Sequence, residues 1–120
     1  MVEGRGLGAP VKRGEIWEAD IGGRGGRRPV LILTRSGVIP YLSKVVVAEV
    51  TTQGKGYPTQ IAIGQTANLS KPSFVSAEGL HTLPKERLRR HLGDLSSDLL
   101  REVGKAVVFA LDLLNLKDNC

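Results

Sequence analysis

The segment that most constrains the fold lies near the C-terminus. Leu99, Leu100, Val103, Ala106, Val107, Ala110, Leu111 and Leu114 recur at the spacing of one helical face, a broad apolar stripe that must be buried against something. Ser96 or Ser97 can cap its start, and Asp98 favours the positive end of a helix dipole. Arg101, Glu102 and Lys105 fall on the polar side. What precedes this helix reads as short strands, so the stripe has a sheet to pack on.

Glu15–Asp20 begins with polar and apolar residues in alternation, as a half-buried strand does. The glycine-rich basic loop from Gly22 to Arg27 follows. Arg28-Pro29 opens a second strand, Val30–Thr34, whose unbroken apolar run predicts burial on both faces. Lys44–Thr51 is rich in β-branched residues and predicts a third strand. After the Gly54–Pro58 turn, Thr59–Ile63 predicts a fourth. Ser73–Ala77 and Gly79–Leu83 read as two further strand pieces, Pro84–Leu88 as a helical turn with Pro84 in first position, and Arg90–Leu95 as a last strand. The expected class is therefore mainly β with one helix (α+β), a compact barrel or strongly curved sheet. With 120 residues there is room for one domain. Residues 1–12 are expected to be a tail, 13–116 the domain and 117–120 a second tail.

Several chemistries lack their residues. There is no Cys-x-x-Cys, His-x-x-x-His or carboxylate cluster, so no metal site and no cofactor are expected. No phosphate-binding loop or Gly-x-Ser-x-Gly elbow is present. The single cysteine, Cys120, has no internal partner, which together with the lack of a leader predicts a reducing cytoplasmic setting. No window approaches a membrane span. Between Ile21 and Ala48 lie five cations (Arg24, Arg27, Arg28, Arg35 and Lys44) and no carboxylate. Such a patch attracts polyanions, of which nucleic acid is the commonest. RNA can be cleaved without metal, because its own 2′-hydroxyl attacks the adjacent phosphorus. Arginine can grip the phosphate in a bidentate fork, and a hydroxyl can donate to the developing charge.

Here the residues resemble a known family. Arg13-Gly14-Glu15-Ile16-Trp17-Glu18-Ala19-Asp20, then Gly26-Arg27-Arg28-Pro29-Val30-Leu31-Ile32, is similar to the opening of MazF/PemK toxins. Val50-Thr51-Thr52-Gln53 with Lys55-Gly56-Tyr57-Pro58 looks like the family's second signature, and Pro72–Glu78 with His81-Thr82-Leu83 continues its order. The likeness spans Arg13 to about Leu114. It implies an SH3-like barrel of the CcdB/MazF type with a C-terminal helix, paired as a homodimer. It also implies a metal-independent, sequence-selective endoribonuclease that cuts single-stranded RNA, messenger RNA included, to a 2′,3′-cyclic phosphate and a 5′-hydroxyl.

By the same resemblance, Arg28 is the catalytic arginine, assigned to stabilising the transition state with proton donation as a second option, and Thr51 the catalytic threonine, orienting the scissile phosphate. Relatives often carry a longer first loop containing a glutamate considered as the base. Here no carboxylate lies between Asp20 and Arg28, and Glu78 is the substitute candidate. Arg24, Arg27, Thr52, Gln53, Tyr57 and Ser76 are expected to bind RNA, Tyr57 by stacking on a base. His81 reads as a half-buried strand residue, Trp17 as core or dimer interface, and Arg87, Arg89 and Arg90 as a solvated basic face. The family likeness also implies a MazE-like antitoxin, an acidic and partly disordered chain wrapped on the basic groove. Two other readings remain. A CcdB-like gyrase poison would end its helix in tryptophan, glycine and isoleucine, whereas the only tryptophan here is Trp17. A non-catalytic SH3-like RNA-binding module would fit the missing loop carboxylate.

Overall fold

A computed structural model describes residues 10–114. Six antiparallel strands, β1 (Glu15–Gly22), β2 (Gly26–Ile32), β3 (Lys44–Thr51), β4 (Gln60–Gly64), β5 (Ser73–Pro84) and β6 (Leu88–Asp94), form one curled sheet, followed by the helix α1 (Ser97–Ala110). The order across the sheet is β4-β5-β3-β2-β1-β6. Its two ends do not pair in a ladder; Asn68 Nδ2 on the β4–β5 loop instead donates to Leu92 O on β6 at 2.7 Å. This is the expected barrel, left open as a half-barrel.

The unbroken apolar run of β2 has the reason anticipated. Val30, Leu31 and Ile32 are each fully buried, because both faces of the sheet are covered. Val30 and Ile32 join Trp17, Ala19, Val45, Val47, Leu83 and Leu88 on one face. Leu31 joins Ile16, Ala48, Val50 and Val75 on the other, where Val103, Leu99, Leu100 and Val107 of α1 close the layer. Burying an aliphatic side chain of this size contributes about 1.5–3 kcal/mol, so both layers are needed. Trp17 is core, 3% exposed, with its indole stacked on His91 at a centroid separation of 5.4 Å. Val11 is buried in the same layer, although the tail was expected to run to residue 12. Residues 1–9 of that tail, the tail at 117–120 and Cys120 lie outside the described residues.

Several local features differ from the sequence expectation. The glycine-rich loop is shorter than it reads: β1 runs on to Gly22, a single 3-10 turn covers Gly23–Gly25 and β2 begins at Gly26. Gly22, Gly23 and Gly26 all have positive φ, which is why glycine is required in so tight a reversal. Pro29 is thus inside β2, not at its start, and is tolerated because pairing with β3 begins only at Val30. The expected strand ended at Thr34; β2 stops at Ile32, yet Leu33 N still bonds Val46 O and the Thr34 hydroxyl oxygen accepts from Val46 N–H. A 3-10 segment over Ser36–Tyr41 was given no element. The two pieces 73–77 and 79–83 are one strand, β5, which ends on Pro84 ahead of a 3-10 turn at Lys85–Arg87.

Ser96 is the N-cap of α1, its Oγ accepting from Leu99 N–H at 3.2 Å, an interaction of about 1 kcal/mol. The apolar stripe continues to Leu114 but the helix does not. Leu113 N–H bonds Val108 O and Asp112 N–H bonds Phe109 O, with Asp112 at φ 55: a Schellman closure with Asp112 in the left-handed position. It leaves Leu111, Leu113 and Leu114 exposed.

Candidate functional site

Strand periodicity places the polar residues of interest. Along β2, Arg28 shares a face with Val30 and Ile32; along β3, Glu49 and Thr51 share the face of Val45 and Val47; along β5, His81 shares that of Leu83. These apolar neighbours belong to one buried cluster, so Arg28, Glu49, Thr51 and His81 all stand on the same side of the sheet. The cross-strand pairs Ala19↔Arg28, Val30↔Glu49 and Val47↔His81 fix the register.

At the ends of β2 and β3 the chain forms a cleft of about 430 Å³. Arg27, Arg28 and Pro29 form one wall. Val50, Thr51, Thr52 and Gln53 contribute from β3 and the residues after it. Leu69, Ser70, Lys71 and Ser73 come from the β4–β5 loop and the start of β5. Three cations and no carboxylate line it, an arrangement that draws in a polyanion. The Thr51 Oγ1 accepts from Gln53 N–H at 3.0 Å, so its own O–H remains available to donate. Among the described residues, the Arg28 side chain donates no hydrogen bond; its near neighbour is Glu49, at 3.8 Å. The guanidinium therefore keeps its donors for a ligand, and a pair this exposed contributes at most about 1 kcal/mol to stability.

The cleft brings together Arg27, Arg28, Thr51, Thr52 and Gln53 of the expected site. Arg24 sits on the 3-10 turn between β1 and β2 and does not line it. Tyr57 is an exposed loop tip on a segment tied down by Gln60, whose Oε1 accepts from Lys55 N–H and whose Nε2 donates to Gln53 O. Ser76 pairs with Gln60 across the β4–β5 ladder. Glu78 is exposed and lies in a bulge of β5: Ala48 pairs with Leu80 and Val50 with Val75, so residues 76–79 leave the ladder opposite Glu49.

Glu49 itself was passed over in the sequence. Its Oε1 faces the Arg28 guanidinium and its Oε2 is hydrogen-bonded to His81 Nε2. The signal was present: Val45, Val47, Glu49 and Thr51 alternate in β3, so a carboxylate two residues before a site threonine must share its face. Arg87 and Arg89, read as a solvated face, lie 3.9 and 3.6 Å from Asp20. Glu15, His91 and Asp94 also approach one another, with His91 Nε2 within hydrogen-bond distance of Gly93 O and Asp94 Oδ1.

A larger concavity of about 1080 Å³ lies between α1 and the chain after β2. It is apolar, lined by Leu33, Val38, Val46, Val107, Phe109 and Leu114 among others. Phe109 and Leu114 are 65% and 85% exposed, so the concavity belongs to an exposed apolar patch. No helix among the described residues is long and apolar enough to cross a membrane.

Residues 12–111 match the family model described as PemK-like, MazF-like toxin of type II toxin-antitoxin system. Two curated relatives, both from Mycobacterium tuberculosis, are the "Endoribonuclease MazF3", 38% identical over 86 residues (72% of this chain and 84% of that protein), and the "Probable endoribonuclease MazF2", 34% identical over 93 residues (77% and 89%). Among solved structures, the Mycobacterium tuberculosis toxin MazF-mt6 superposes with a TM-score of 0.76 at 35% identity, covering 82% of this chain and 96% of that one. A mycobacterial endoribonuclease in complex with its cognate antitoxin superposes with a TM-score of 0.78 at 28% identity, covering 86% and 96%.

Proposed function

The chain belongs to the PemK-like, MazF-like toxin family of type II toxin-antitoxin systems, and on that premise we propose that it is an endoribonuclease acting on single-stranded RNA, messenger RNA included. One observation carries the chemistry: Arg28, with its donors unspent, and Thr51, with its O–H free to donate, meet in a single basic cleft. Arg28 takes two oxygens of the scissile phosphate in a planar fork. Thr51 donates to the same phosphate and orients it. Both strengthen as charge builds on the pentacoordinate phosphorus, which is the condition for catalysis and not mere binding. The attacking group is the substrate's own 2′-hydroxyl. The products are a 2′,3′-cyclic phosphate and a free 5′-hydroxyl, and no step calls for a metal ion.

Arg27 and Lys71, which line the cleft, would hold flanking phosphates, and Thr52 and Gln53 would meet the bases. Arg24, Tyr57, Ser76 and Glu78 would act only if RNA leaves the cleft and crosses the neighbouring loops. The apolar groove of α1 suits a second copy of the chain, giving a homodimer. An acidic MazE-like antitoxin would cover the basic cleft and silence it. The setting that suits such an enzyme is the cytoplasm, where its substrate is.

The test is incubation of the purified protein with mixed-sequence single-stranded RNA in excess EDTA, with end-group analysis of the products. Discrete fragments ending in 2′,3′-cyclic phosphate are expected. Intact RNA under these conditions would return the chain to the binding-module or gyrase-poison readings. Sedimentation of the same preparation is expected to give a dimer, and a monomer at working concentration would remove that part of the proposal.

A further inference from the structure

Cleavage by a 2′-hydroxyl needs a base, and the first loop offers none: no carboxylate stands between Asp20 and Arg28. We propose that Glu49 is the general base and that His81 is the residue that positions it. The inference rests on the ribonuclease reading of the same site and adds a residue to it.

The geometry divides the work between the two carboxylate oxygens. Oε2 is held by His81 Nε2, which restricts the side chain to one orientation. Oε1 looks towards the Arg28 guanidinium at 3.8 Å, beyond hydrogen-bond length. Glu49 does not itself line the cleft, but it adjoins Arg28, which does; once a phosphate claims that guanidinium, Oε1 has lost its near protein partner. A 2′-oxygen poised for attack sits about 3–3.5 Å from phosphorus, which puts its proton within reach of the same oxygen. Glu49 is 26% exposed in its side chain, open enough to meet a substrate. The bulge of β5 makes the space: a Cβ on Gly79 would lie 3.3 Å from the Cβ of Glu49, tighter than ordinary contact. Glu78 has neither relation, since it lies exposed in the bulge and, among the described residues, has no partner that orients it.

The step balances as follows. The 2′-oxygen forms its bond to phosphorus while its proton passes to Glu49. The bond from phosphorus to the 5′-oxygen breaks, and that oxygen takes a proton from water in the open cleft. The hydroxide left behind removes the proton from Glu49, and the enzyme is restored.

The experiment compares wild type with Glu49→Gln on an RNA oligonucleotide carrying the wild type's main cleavage site, found first from the mixed pool. Glutamine keeps the size of the side chain and one acceptor oxygen for His81 Nε2, but it cannot take a proton. A merely positional role for Glu49 therefore survives the change, and a base does not. The expected loss in kcat is about a hundredfold or more, with KM within about threefold. The same oligonucleotide with sulfur in place of the 5′-bridging oxygen has a leaving group that needs no acid, and the loss is expected to persist there. Retention of kcat within about threefold, or recovery on the sulfur substrate, overturns the assignment. Should Glu49→Gln fail to fold, Glu49→Ala with added formate substitutes, and a rate that does not rise with formate overturns it equally. For His81, alanine is expected to lower kcat about tenfold at unchanged KM, and glutamine, which still donates, to restore most of it. A wild type that leaves RNA intact brings down the ribonuclease reading with it. A wild type that cleaves beside an equally active Glu49→Gln brings down only this one.

Discussion

Arg28→Ala is expected to cut kcat for RNA cleavage by about a thousandfold while leaving the fold intact. The size follows from what the side chain does: it can place two parallel donors on the phosphate that Thr51 also meets, and the charge it meets is largest in the transition state. The harmlessness to the fold follows from what it does not do. Its side chain is 43% exposed, and its strand is held by backbone pairing of Arg28 with Ala19. The midpoint of thermal unfolding should therefore move by no more than a few degrees, the scale of a change worth about 1 kcal/mol. Arg28→Lys should recover only part of the rate, because an ammonium keeps the charge and loses the fork. Single-turnover rates for the three proteins decide the matter. A residual activity above one tenth in the alanine variant would show that the phosphate is bound elsewhere.

The second large effect is expected far from the arginine. Gly93 in β6 has a bare α-carbon against which the β4–β5 loop is docked: a Cβ there would come within 2.7 Å of Ala67 Cα and 2.8 Å of Ala67 Cβ. Neither is the free end of a side chain, so the loop has to move. It is held on that spot by Asn68 bonding Leu92 O and by Leu69, which is buried in the layer beneath α1. Gly93→Val should cost about 3 kcal/mol, the upper end for overfilling a packed site, read as a lowered denaturant midpoint at constant slope. Function should suffer as well, because Leu69, Ser70 and Lys71 of the displaced loop line the cleft. The variant should bind RNA more weakly and with a shallower salt dependence, having lost one phosphate contact. Unchanged stability would mean that the loop is seated differently from this structure.

How much of this could be read from the chain depends on the kind of contact involved. Elements announced by a period were legible: the alternation opening β1, the apolar run of β2 and the stripe of α1 each mark their element, with the ends of β2 and α1 displaced. Turns whose ends depend on backbone conformation were less so. The closing of α1 at Asp112 leaves the apolar stripe running past the helix, and no periodicity can reveal a left-handed residue. The site divides in the same way. Arg28, Thr51, Thr52 and Gln53 lie on or next to strands whose order brings them together, and the signature strings marked them. Glu49 carried no such mark. Its importance comes from facing Arg28 and His81, which lie 21 residues before and 32 residues after it in the sequence. Only the pairing of β3 with both β2 and β5 makes them neighbours. Lys71 was overlooked for a related reason, since a lone lysine on a polar loop has no period and owes its position to the docking of Leu69.

The cleft is made of two unlike materials. Arg28 and Thr51 belong to strands pinned into the middle of the sheet, whereas Thr52, Gln53, Ser70 and Lys71 are exposed positions after β3 and before β5. Substitutions at those exposed side chains, which leave Asn68 and Leu69 in place, carry little cost to the frame, so the RNA letters proposed to be read there can drift in a descendant while the strand floor stays put. A lineage built on this plan can multiply its targets by rewriting margins alone, and an inhibitor meant to reach all such descendants should grip the strand floor and ignore the walls.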